Sequence, residues 1–246
     1  MEKQYTDRHT LDPLHDPMGA AILEYQKTGR AATLRVSSSM FDDDEMPVPH
    51  LFRTAEAMPP LERRALDMAR GRTLDVGAGA GCHALALQEA GLEVAAIDIS
   101  PLSCEAMRLR GVHNVACRNL FDEQLTGNYD TILLLMNGTG IAGHASRLGQ
   151  LLLRLGQLLA PGGQVLVDSS DLKYVYDNGD GSFDLPQGRY YGEVDYMMTY
   201  RNVSGEPFDW LYADYGLLAA AAAGCGMKCN LVVEGNHYDY LAAITK

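Results

Sequence analysis

No apolar run in the chain approaches the ~20 residues that a bilayer-spanning helix needs. The opening residues, MEKQYTDRHTLDPLHDP (1–17), lack the apolar core of a secretory signal. Both absences lead us to expect a cytoplasmic protein with no membrane partner. Basic residues are few, with 20 Lys and Arg against 32 Asp and Glu and a net charge of −12. Such a surface repels phosphate backbones unless a local basic patch offsets it. The one arginine-rich stretch, ERRALDMARGR (62–72), sets its arginines among acids and leucines at helical spacing and reads as a solvated helix face. Nucleic acid is therefore not an expected partner. Cysteine is sparse and odd in number, five in all. No CxxC grid or His partner stands at zinc spacing, so the expectation is reduced, buried thiols and no metal.

What is present suits one sizeable α/β domain with an appended cap: 246 residues, 47% of them hydrophobic. Residues 1–70 read as a mostly helical N-terminal cap or lid. Within it lie a helix over 17–29, an acidic, proline-bearing loop over 37–50, and a helix over 59–69 opened by proline. From residue 72 strands and helices alternate. Strands are expected at 72–76, 93–99, 112–119, 129–136 and 164–170, with helices at 81–91, 101–111 and 144–163. That alternation implies a parallel sheet covered on both faces. A tyrosine-rich insertion follows over 172–202, its last part alternating like a strand. A helix over 210–226 and a hairpin over 227–244 close the chain. The domain proper is thus read as 71–246.

The stretch LDVGAGAG (74–81) puts an acid inside an apolar strand and follows it with three alternating glycines. At a strand-to-helix corner glycine permits positive φ and lets a ligand approach bare backbone, while the helix N-terminus offers free N–H groups. The dinucleotide fingerprint would place glycine where Cys82 stands, and a pyrophosphate would be repelled by Asp75. A donor with a cationic amino-acid tail, such as S-adenosylmethionine, reverses that argument. Asp98 ends the second strand about twenty residues beyond Gly77, the spacing of an acid that accepts ribose hydroxyls.

Taken together, LDVGAGAG, AIDIS, YDTILLLMNGTG and LLAPGGQVLVDSSD resemble, in order and spacing, the successive motifs of class I S-adenosylmethionine-dependent methyltransferases over residues 72–171. The resemblance implies a Rossmann-like, seven-stranded mixed sheet with helices on both faces and a final antiparallel hairpin, here with a helical N-terminal cap. It implies S-adenosyl-L-methionine as cofactor. Asp75, Gly77, Ala78, Gly79 and Gly81 would hold its methionine end, and Asp98 both ribose hydroxyls. Ile99 would lie against the adenine, and Asn119 and Leu120 near its amino group, where the family more often carries an acid. Backbone at Met136 and Asn137 would meet the ammonium.

Methyl transfer is an in-line displacement on an activated donor, so the protein mainly aligns the nucleophile and excludes water. A base is needed only where the nucleophile is protonated at neutral pH. Asn137 could hydrogen-bond the acceptor and His144 could be that base, or His144 could cap the next helix or face solvent. Asp168 and Asp171 could bind substrate or cap a turn. Tyr190, Tyr191 and Tyr196 could wall a pocket or pack an added strand. Phe52 and Arg53 could close on the site or pack the cap helices together. The segment after the fourth strand lacks the Asn/Asp-Pro-Pro-Tyr/Phe sequence of many DNA and protein amide-nitrogen methylases. The expectation is a methyltransferase acting on an O or N nucleophile of a small molecule, in an oligomeric state left open. Two alternatives stand beside it: a non-catalytic cofactor- or partner-binding module on the same fold, and an aminopropyltransferase-like enzyme. A nicotinamide oxidoreductase fits Asp75 least.

Overall fold

The computed structural model of the protein describes residues 10–246. In chain order its elements are α1 (Pro17–Thr28), β1 (Leu34–Ser37), β2 (Asp44–Met46), α2 (Pro60–Met68), β3 (Thr73–Val76) and α3 (Cys82–Glu89). Then come β4 (Val94–Asp98), α4 (Pro101–Arg110), β5 (Asn114–Cys117), β6 (Tyr129–Leu134), α5 (Leu148–Leu158) and β7 (Leu159–Ser170). The chain closes with β8 (Glu193–Tyr200), β9 (Val203–Ser204), β10 (Phe208–Leu211), α6 (Tyr215–Gly224), β11 (Lys228–Glu234) and β12 (Asp239–Thr245).

Seven strands form one sheet in the order β11-β12-β7-β6-β3-β4-β5. Its β3 to β7 members pair in parallel, and β12 runs antiparallel to both β7 and β11. All four residues of β3 are buried; Leu74 and Val76 join the core, while Thr73 and Asp75 are the strand's polar members. Leucines 148, 151, 152, 155 and 158 of α5 form one apolar stripe and pack, with α6, on one face of the sheet. Helices α2, α3 and α4 cover the other face through Ala65, Leu87 and Met107. This is the expected Rossmann-like architecture, with helices on both faces and a closing antiparallel hairpin. Strand order reverses between β3 and β6, and a ligand crevice is expected beyond the carboxyl ends at that point.

A second, antiparallel sheet runs β10-β8-β1-β2, with β9 also on β8. It joins the N-terminal segment to the insertion, Leu34 standing opposite Tyr200. Here the sequence reading needs correcting. The N-terminal segment has the two expected helices, but it also supplies two strands, and the stretch read as a loop over 37–50 contains β2. A four-residue strand whose partner lies in a distant insertion leaves no local signature. The expected helix over 210–226 starts later, at Tyr215 behind the Asp214 cap, because 208–211 pairs with β8 as a strand. Trp210 on that strand lies flat against Gly140, where a Cβ would come within 1.8 Å of the indole. The long helix expected over 144–163 ends at Leu158, and Leu159 already pairs with Tyr129.

Candidate active site

The corner after β3 is built as the glycines require. Gly77, Gly79 and Gly81 have φ of 69°, 55° and 79°. Positive φ costs an L-residue strain that glycine avoids. Nothing lies within 4 Å of a Cβ built at Gly79, and only Ile141, at 3.9 Å, near one at Gly77. The backbone there is a bare cradle. Asp98 fixes its shape, with Oδ2 accepting the Gly79 N–H and Oδ1 the Ser100 N–H, each at 2.8 Å. Burial pushes the Asp98 carboxyl up to about 6, against the pull of those two bonds.

Asp75, 2% exposed, lies beneath the cradle. Its Oδ2 is buried with no hydrogen-bond partner among the described residues, and burial raises its pKa despite the nearby charge of His83. A buried acceptor left without a donor costs about 1–3 kcal/mol, so this oxygen suits a cationic donor arriving with a ligand. The open cradle, the orphaned carboxylate oxygen and the Asp98 carboxylate together fit S-adenosylmethionine. Ammonium would go to Asp75 and ribose to Asp98.

Beyond β6 the backbone turns sharply. Met136 and Asn137 hold φ of 66° and 59°, uncommon for side chains of their size. Asp168 from β7 secures the turn, its Oδ1 accepting the Asn137 N–H at 2.9 Å. Ser170 Oγ donates to Asn137 Oδ1 at 2.9 Å and fixes the amide. Both residues line a cavity of about 290 Å³ together with Pro59, Leu61, Glu62, Met136, His237 and Asp239.

The N-terminal segment is fastened at the same place. Arg53 donates to Glu62 Oε2 from Nε at 2.9 Å and from Nη2 at 2.6 Å, and His83 Nε2 meets the same oxygen at 2.9 Å. All three side chains are buried. Burial alone would favour neutral forms; contact with His83 and Arg53 instead holds Glu62 below its ordinary range. Burial likewise opposes charge on His83, but bonds to Cys82 and Glu62, with the Asp75 charge, carry it to about 10. On the neighbouring helices, Asp16 accepts from Ser100 Oγ, and the Leu11 N–H donates to the Ile99 carbonyl at 2.8 Å.

Of the residues singled out in the sequence, the structure gathers Asp75, Gly77, Gly79, Gly81 and Asp98 at one corner. Ala78 follows Gly77 there with its side chain in the core. Ile99, 38% exposed, is open beside Asp98. Asn119 uses its side-chain oxygen to accept the Phe121 N–H at 2.9 Å, and the Leu120 side chain is buried in the core. His144 stands apart from the cavity lining, between Glu193 at 3.4 Å and Asp209 at 3.2 Å. Tyr190 and Tyr191 donate to Asp214 at 2.6 and 3.0 Å, Tyr191 also to Asp171 at 2.8 Å, and Tyr196 bonds Tyr212 at 2.9 Å. The sequence reading missed Glu62, Ser170, His237 and Asp239. Only the position of Ser170 after a strand's carboxyl end could have flagged it.

Fold and corner define an α/β enzyme of nucleoside-cofactor type. A family model for a methyltransferase domain matches residues 74–167. A SAM-dependent methyltransferase from Bacteroides fragilis, solved with S-adenosyl-L-homocysteine, is 54% identical, with 97% of this chain and 98% of that one covered and a TM-score of 0.92. The chain belongs to the S-adenosylmethionine-dependent methyltransferases, whose methyl donor is S-adenosylmethionine. The fold recurs in the sugar N-methyltransferase KedS8 from Streptoalloteichus sp ATCC 53650, at 19% identity over 85% of this chain and 97% of that one, TM-score 0.55. It recurs also in CcbJ from Streptomyces caelestis, at 15% identity over 95% and 98%, TM-score 0.59. Comparison with curated protein sequences gives no match.

Proposed function

We propose that this methyltransferase acts in the cytoplasm on an O or N nucleophile of a small molecule. The observation that carries the acceptor's size is the cavity of about 290 Å³ at the turn of Met136 and Asn137. That is at the small end of ligand pockets, a size that suits a small molecule. The five free thiols support the compartment.

When bound, S-adenosylmethionine supplies a methyl group already activated by its sulfonium. On this reading the chain's own residues orient and enclose. Asp75 pairs the ammonium and Asp98 takes the ribose hydroxyls. The backbone of Gly77, Ala78, Gly79 and Gly81 lies along the methionine end, with Ile99 against the adenine and Asn119 and Leu120 at its rim. Met136 and Asn137 separate the donor from the acceptor cavity, with the Asn137 amide turned toward the acceptor. His144, between two carboxylates of the second sheet, ties its loop to that sheet. Residues 10–70 and the insertion act together as the cover that excludes water.

Calorimetric titration with S-adenosylmethionine and S-adenosylhomocysteine, on wild type and Asp98→Ala, tests the site. Micromolar binding lost in the variant is the expected result. Equal binding by both would remove Asp98 from the site.

A further inference from the structure

The cavity beyond β6 and β7 has a one-sided chemistry. Three of its lining side chains are carboxylic acids, Glu62, Asp168 and Asp239, and none is lysine or arginine. Glu62 is already matched by Arg53 and His83. The other two are held only by neutral donors. Asp168 Oδ1 accepts backbone N–H groups of Asn137 at 2.9 Å and Gly138 at 3.5 Å. Asp239 Oδ1 accepts the His237 N–H at 3.0 Å. Burial raises the Asp168 carboxyl to about 6, with Glu62 adding to the rise and His83 opposing it. At neutral pH it is therefore an anion with little water and, among the described residues, no ion-pair partner, a costly state that a cationic ligand would relieve.

An exposed aromatic pair occurs at the same hairpin turn. Tyr238, between the lining residues His237 and Asp239, is 62% exposed. It stacks on Tyr174 with ring centroids 4.6 Å apart and planes 13° from parallel. Tyrosine faces attract cations. Two carboxylates held by neutral donors and an acidic molecule both select for positive charge and against a carboxylate or phosphate acceptor.

We propose that the acceptor is a primary or secondary amine that enters as its ammonium, with Asp168 and Asp239 as counter-ions and Asp168 as the group that takes its proton. This rests on the reading of the cavity as the acceptor's place. An ammonium nitrogen has no lone pair, so one N–H proton passes first to the Asp168 carboxylate. The freed lone pair forms the N–C bond to the methyl carbon. The C–S bond breaks, and its electrons stay on sulfur and cancel the sulfonium charge. The product leaves as a methylated ammonium, and Asp168 returns its proton to water. A neutral hydroxyl acceptor would need a far stronger base than a carboxylate near pH 6.

The test uses the full chain saturated with S-adenosylhomocysteine and calorimetric titration of paired probes. Ethanolamine is set against ethylene glycol, benzylamine against benzyl alcohol, and glucosamine against glucose. At least one amine should bind tenfold or more tighter than its neutral partner. Asp168→Asn, which keeps the oxygen that Asn137 needs, and Asp239→Asn should each weaken that amine tenfold or more while homocysteine-cofactor affinity stays unchanged. Amine affinity should fall as pH drops below about 6. The groups facing Asp168 there are Glu62 and His83 from the helices and His237 and Asp239 from the hairpin. Three results would overturn the proposal: no amine preferred over its partner, amine affinity indifferent to both variants, or Mg²⁺ binding that the variants abolish while the amines do not bind. Failure of S-adenosylhomocysteine to bind would count against the cofactor site instead, and the amine titration on the chain alone would still decide the cavity.

Discussion

Asp98 does two jobs with one carboxylate. It shapes the glycine corner through Gly79 and Ser100, and on the proposed reading it also takes the ribose hydroxyls. Hydrogen bonds to a charged group contribute about 1.5–3 kcal/mol each. Asp98→Ala should therefore weaken S-adenosylhomocysteine binding about a hundredfold or more, by calorimetry. Its carboxyl sits at about 6, above the usual 3.8. The ionised form that accepts hydroxyl donors is lost as pH falls through that value, so wild-type cofactor affinity should decline below pH 6 and hold above it. Gly140 gives a purely steric prediction. With Trp210 1.8 Å from any Cβ, Gly140→Ala should lower stability by about 1–3 kcal/mol, read as a drop in Tm. The residues of the corner were legible because glycine φ and strand-to-helix spacing are local properties of a few neighbours. Glu62 and Asp239 were not legible, because nothing near them in sequence says that they face one cavity.

Elements differ in the same way. Strands β3, β4, β6 and β7 were readable as apolar runs between helices, since a buried parallel strand needs little but its own side chains. β1, β2 and β10 were not, because each is short and takes its meaning from a partner in the second sheet, β1 and β10 from β8 and β2 from β1. The most consequential element contact is the Arg53–Glu62–His83 junction, which binds the segment before α2 and α2 itself to α3. Removing one partner leaves buried charge uncompensated, at a cost of about 3–5 kcal/mol. Arg53→Met should show that loss in chemical denaturation, and should also speed release of S-adenosylhomocysteine in a stopped-flow chase. The pH dependence has a definite sign. The folded His83 pKa, about 10, lies above the ordinary 6.5. Its contribution is complete below about 6.5 and is lost as pH rises toward 10. Wild-type Tm should fall over that interval, and His83→Gln should flatten the fall.

At the scale of the whole molecule the second sheet is the feature that sequence alone concealed. It joins the N-terminal segment and the insertion in one sheet rather than leaving them as two appendages. Deleting residues 1–46 would strip β1 and β2 and leave one edge of β8 unpaired. Bare strand edges pair with copies of themselves, so the truncated chain should self-associate in light scattering while the full chain does not at equal concentration. The same pairing sets a timetable. Leu34 waits for Tyr200, and Glu62 shares a cavity with Asp239. Contacts between residues so distant in sequence form slowly, after long loops have closed. A growing chain can lay down its glycine corner early, but it holds no finished acceptor cavity until nearly all of it has been synthesised. On the proposed reading of corner and cavity, the residues placed for the donor are therefore synthesised well before the last residues placed for the acceptor.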